Sequence, residues 1–114
     1  MAERIRHNIE QHSFDLGNGK FIHNTCSLGI APIPFSKNKN NNITWQQSLN
    51  IADIALYAAK THGRNAWVEL CFNPLNDNDI SYNELIDKIQ EHIDKQNLLL
   101  TTSITDRQVT ISLN

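Results

Sequence analysis

With 114 residues and a net charge of −2, the chain has room for one small domain and carries no overall positive field to recruit nucleic acid. Hydrophobic residues make up 39%, enough for a folded core, yet no apolar run is long enough to cross a bilayer and no apolar signal segment follows the N-terminal charges. A cytoplasmic protein without a membrane segment is therefore expected. Cys26 and Cys71 form no CxxC pair and read as reduced thiols in the core. His7, His12, His23, His62 and His92 show no zinc-ligand spacing.

Residues 1–12 read as a helix, with Ala2, Ile5 and Ile9 on one face. No Ser, Thr, Asp or Asn stands before Ala2 as an N-cap, so the helix reads as one that starts in mid-sequence, a hint of truncation. Residues 14–34 read as β structure. "FDLGNGKFI" sets Gly17, Asn18 and Gly19 between two short runs, a hairpin signal. "KFIHNTCSLGIAPIP" reads as one long strand with Ile22, Cys26, Leu28 and Ile30 on one parity, ended by Pro32 and Pro34. "SKNKNNN", residues 36–42, is a polar loop. Thr44 and Gln47 form a capping box that opens a second helix. Its apolar face holds Trp45, Leu49, Ala52, Leu56 and Ala59, widened by Ile51, Ala55 and Ala58, and Gly63 supplies the stop. "AWVELCF", residues 66–72, is a strand, and "NPLNDND" a linker. Ser81 and Glu84 open a third helix, with Leu85, Ile86, Ile89 and Ile93 as its buried stripe. Residues 98–104 and 108–113 read as two strands around a "TDR" turn, with Val109, Ile111 and Leu113 alternating. This order of elements predicts an α/β or α+β sandwich.

The residues that could carry chemistry are few. Lys60 and Arg64 flank the end of the second helix, where i and i+4 side chains share a face and Gly63 turns the chain between them. Two cations converging there can hold a polyphosphate, Arg as a fork and Lys as a point charge. From spacing alone, the simpler reading is that they complement the helix dipole and cap its carbonyls. Asp53 is a lone carboxylate and makes no metal site. Arg4 and Arg6 read as a solvated helix face, and Trp45 and Trp67 as core or half-buried anchors. Cys26 and Ser27 have no base or nucleophile-elbow motif beside them, and there is no Walker or dinucleotide-binding loop.

Three segments taken together resemble one family. "AERIRHNIEQHSF", "TCSLGIAPIP" and "ADIALYAAKTHGRN" are similar, in order and spacing, to the C-terminal half of the GGDEF domain of bacterial diguanylate cyclases. The last is the most specific, matching every fixed position of a pattern close to A-D-x-A-L-Y-x-A-K-x-x-G-R-N. The resemblance covers about residues 2–70. It implies a nucleotidyl-cyclase or polymerase-palm-like fold, a central sheet flanked by helices, here truncated. It implies the joining of two GTP molecules into cyclic di-GMP with Mg²⁺ as cofactor, by attack of each 3′-hydroxyl on the other nucleotide's α-phosphate. It maps the family's triphosphate contacts onto Lys60 and Arg64, and an inhibitory cyclic di-GMP contact onto Arg4.

The family's Gly-Gly-Asp/Glu-Glu-Phe hairpin and metal-binding Asp would precede "AERIR", and neither occurs in these residues. No catalytic residue and no bound metal are therefore expected in this chain, and no cyclase activity from it alone. The resemblance pairs "TCSLGIA" with the missing metal-bearing strand, so an open sheet edge is expected. The expected partners there are a second copy or a full GGDEF protein. The chain divides into 1–72 as the half domain, 73–80 as linker, and 81–114 as an extension that could patch the sheet.

Overall fold

The computed structural model describes residues 1–36, 42–76, 79–105 and 108–111. In chain order the elements are α1 (Ala2–Gln11), β1 (Ser13–Gly17), β2 (Lys20–His23), β3 (Leu28–Ile30), α2 (Trp45–Thr61), β4 (Trp67–Phe72), α3 (Tyr82–Asp87), α4 (Ile89–Asp94) and β5 (Leu98–Thr102). Helices and a mixed sheet make this an α+β fold, as the sequence predicts. No helix among the described residues is long and apolar enough to cross a membrane.

Helix α2 organises the molecule, and its ends follow from local chemistry. Thr44 Oγ1 accepts from the Gln47 N–H at 3.1 Å, and Gln47 Oε1 accepts from the Thr44 N–H at 3.0 Å, the expected reciprocal cap. Below it lies a three-stranded sheet of order β3-β4-β5. β3 and β4 run parallel, with α2 as the crossover between them. β4 and β5 run antiparallel, joined through α3 and α4. Alternation along β4 turns Val68 and Leu70, both fully buried, to the side of Ile51, Ala55 and Ala58 of α2. The approach is closest at Gly29 of β3. A Cβ there would sit 2.1 Å from Ala52 O and 2.3 Å from Leu56 N, so the strand lies directly on the helix backbone.

The buried cluster continues without a break into the C-terminal third. Leu85, Ile89, Leu98, Val109 and Ile111 pack with Ile51 and Val68. Ile80 is buried as well, and Asn73 holds its segment by donating from Nδ2 to Gln96 O at 2.8 Å.

The Asn-Gly hairpin forms as expected. Gly17 pairs with Lys20 across a two-residue loop in which Asn18 (φ 56°) and Gly19 (φ 73°) are both left-handed, the requirement that Asn-Gly meets in a type I′ turn. β1 and β2 form a separate ribbon that is exposed throughout.

Four expectations are corrected. The single long strand is two: β2 pairs with β1, β3 with β4, and residues 24–27 belong to neither. The third helix breaks at Lys88 (φ −127°, ψ 37°) into α3 and α4. Residues 98 onward do not form the expected hairpin among the described residues. β5 pairs with β4 instead, and 108–111 run as an extended segment. The alternation of Val109 and Ile111 still means burial, but their backbone is met by side chains. Ile111 N–H donates to Gln90 Oε1 at 2.7 Å, and Thr110 N–H to His62 Nε2 at 3.3 Å. Finally, Trp45 and Leu49 are 60% and 52% exposed rather than buried. Leu49 shares a side of α2 with Ala52 and Leu56, which overlie β3, and among the described residues no strand lies beyond β3 to cover it. β5 thus joins the β4 edge, not the open edge of β3. The loop residues 37–41, Asp77 and Asn78 of the linker, Asp106 and Arg107 of the "TDR" turn, and Leu113 lie outside the described residues.

Candidate functional site

A helix ends with unpaired carbonyls, and what satisfies them decides which nearby groups stay free. At the end of α2, Ala58 O accepts from the His62 N–H at 3.1 Å, from the His62 ring Nδ1 at 2.8 Å and from Thr61 Oγ1 at 3.2 Å. Ala59 O accepts from the Arg64 N–H at 3.0 Å. The His62 ring also takes the Thr110 N–H on Nε2 at 3.3 Å. Main-chain and short side-chain groups therefore cap the helix, and the cationic heads of Lys60 and Arg64 are not used for it. Both residues are exposed, and among the described residues neither side chain forms a hydrogen bond or ion pair.

The backbone beyond the helix is left-handed for three residues: Gly63 (φ 112°), Arg64 (φ 61°) and Asn65 (φ 48°). Asn65 is tied to α1 on both ends of its amide. Its Oδ1 accepts from Arg6 Nη1 at 2.9 Å, and its Nδ2 donates to Glu10. Arg6 also grips Glu3 with a fork, Nε and Nη2 donating at 2.9 and 2.6 Å, and pairs with Glu10 at 3.6 Å. Trp67 Nε1 of β4 donates to the same Glu3 at 3.1 Å. Hydrogen bonds from Arg6, more than any other cause, hold the Glu3 carboxyl down to about 2, and the hydrogen bond from Asn65 leads in lowering Glu10. Arg6 is raised further above its already high range, chiefly by Glu3.

This overturns the reading of Arg6 as a solvated residue: its side chain is 14% exposed and ties α1 to the turn after α2, while the Glu3 it grips carries the link to β4. The Glu3, Arg6, Glu10 spacing of three and four residues carries the local part of that signal. The reach to Asn65 carries none, because the partner lies far along the chain. Arg4 is exposed on α1, apart from this network, and Asp53 is exposed on α2. Trp67 is half-buried as expected. Cys26 and Cys71 are free and half-buried rather than core residues, and burial pushes the Cys71 thiol up. No group of three or more His, Cys, Asp or Glu that could hold a metal ion occurs among the described residues. A cleft of about 420 Å³ opens where α1 meets the sheet, lined mainly by Ala2, Ile5, Leu28, Ile30, Trp67 and Glu69.

The elements define a small α+β domain with a cation-bearing turn at the end of its central helix. Among known proteins, the chain is 38% identical over 64 residues to the diguanylate cyclase DosC of Escherichia coli (strain K12). The same figures hold for DosC of Escherichia coli O157:H7 and of Shigella boydii serotype 4. The match takes in 56% of this chain and only 13% of each relative's length. No family model matches the chain, and no solved structure matches it. The similarity supports a relation to the diguanylate cyclases at family level, over that stretch.

Proposed function

We propose that this chain carries the triphosphate-gripping part of a GGDEF-like, diguanylate-cyclase domain, with Lys60 and Arg64 as the phosphate contacts. The observation that supports the reading is the carbonyl accounting at the end of α2, which leaves two exposed cations without a structural task. The family-level likeness to a diguanylate cyclase supplies the substrate class, GTP. These 114 residues contain no Gly-Gly-Asp/Glu-Glu-Phe hairpin and, among those described, no metal-ligand cluster. On their own they bind without turning over. With GTP and Mg²⁺, the isolated chain is expected to form no cyclic di-GMP. Equilibrium titration is expected to give saturable GTP binding that Lys60→Ala or Arg64→Ala each weakens about tenfold, the value of one charge-assisted contact. Binding untouched by either substitution would sink the reading. Arg4, exposed and outside the Asn65 network, keeps the role of a contact for inhibitory cyclic di-GMP within the same proposal.

A second reading concerns the sheet. β3 has a strand on one side only among the described residues, and Trp45 and Leu49 stand exposed above its open side. Unpaired strand edges beside apolar side chains recruit further strands. We propose that a second copy of the chain covers this edge, so that the half domain also acts as a dimerisation module. Light scattering across a dilution series is expected to show a dimer that Leu49→Lys converts to monomer without loss of helix. A wild-type monomer at every concentration would reject it.

A further inference from the structure

We infer that Asn65, held by Arg6 and Glu10 of α1, is a positioning residue that aims Arg64 at its anion. The inference rests on the reading of Lys60 and Arg64 as phosphate contacts and adds the device that makes it work. Arg64 and Asn65 both stand in the left-handed region, which disfavours a residue with a side chain, Arg more than Asn. Such a run persists only where its surroundings fix it. On one flank the fixing group is the Asn65 amide, both of whose ends are committed to α1, 59 and 55 positions away in the chain. On the other flank it is His62, capped onto Ala58 O and met by the Thr110 N–H. Arg64 lies between the two with its main chain anchored on Ala59 O and its guanidinium unspent among the described residues.

The charges agree with the geometry. Glu10 stands next to the turn and would by itself repel an anion, but Arg6 sits between Glu3 and Glu10 and offsets one of their two negative charges. Lys60 and Arg64 outweigh the one negative charge that remains, so the local balance at the turn is positive. α1, which contributes no contact of its own to the anion in this reading, sets the direction of the contact that Arg64 makes.

The two roles of Asn65, structural and positioning, separate in Asn65→Gly. Glycine loses both hydrogen bonds to α1 but adopts the left-handed backbone without strain, so the variant is expected to unfold at a somewhat lower temperature and to remain folded at the temperature of the titration. With inorganic triphosphate as the probe, affinity is expected to fall about 3- to 10-fold, the scale of a lost orientation rather than a lost charge. Arg6→Ala is expected to weaken binding at least as much, and the double variant no more than Arg6→Ala alone, because the two share one network. Wild-type affinity in Asn65→Gly, while Lys60→Ala and Arg64→Ala still weaken binding, would overturn the inference and leave the phosphate reading standing. Strictly additive losses in the double variant would overturn it too. If Lys60→Ala and Arg64→Ala change nothing, the phosphate reading falls and the inference with it.

Discussion

Replacing Gly29 with alanine is expected to destabilise the chain severely and to lower its urea midpoint. The added Cβ would meet Ala52 O at 2.1 Å, Leu56 N at 2.3 Å and Leu56 Cα at 2.7 Å, all backbone atoms of α2. No rotamer change can clear backbone, so β3 must lift away from the helix. It would then lose its ladder with β4, which is only three residue pairs long. The cost is expected at about 4–5 kcal/mol or more, the extreme end for one substitution. A domain of this size holds only roughly 5–15 kcal/mol in all. Far-UV circular dichroism and a urea titration check this. A wild-type urea midpoint in Gly29→Ala would mean that β3 does not sit on α2.

Acid is expected to release α1 from the body before the core melts. Glu3 has a folded pKa of about 2 against an ordinary 4.5, and Glu10 is shifted in the same direction. A carboxylate depressed by folding contributes stability that is complete above its unfolded pKa. That contribution is lost as pH falls through the folded value. The window therefore runs from about pH 4.5 down to about pH 2 for Glu3. Trp67 reports it, because its indole N–H donates to Glu3. A Trp45→Phe background removes the other, exposed indole. Arg6→Ala is expected to lower stability and to move the Trp67 change up toward the ordinary carboxylate range, since Glu3 loses the main group that depresses it. A Trp67 titration that survives Arg6→Ala unchanged would show that the network does not hold α1.

Local chemistry was the legible part of this fold. Thr44 and Gln47 announced their cap, Asn18 and Gly19 their turn, and Gly63 the end of α2, because each effect spans four residues or fewer. The apolar face of α2 was read as wider than the face that is covered. Trp45 and Leu49 obey helical periodicity, but periodicity cannot tell whether a neighbouring strand is present. The break at Lys88 left no mark, since neither Gly nor Pro stands there. Val109 and Ile111 alternate as a strand would, and alternation fixes burial without fixing what the backbone pairs with. At the site, Lys60 and Arg64 stood out by motif. Arg6 did not, because its decisive partner, Asn65, is brought to it only by tertiary packing.

The order of the sheet also bears on how the chain is made. β3 has its support in α2 and β4, which are both synthesised after it, while everything it could pair with locally is taken up in the β1–β2 ribbon. Asn65 likewise reaches its partners on α1 only once the whole of α2 has emerged. During synthesis the α1-to-β3 segment must wait in an unfinished state, with the apolar side chains of α1 and β3 uncovered, until β4 has cleared the ribosome exit. This segment is thus made before the partners that cover it and settles late.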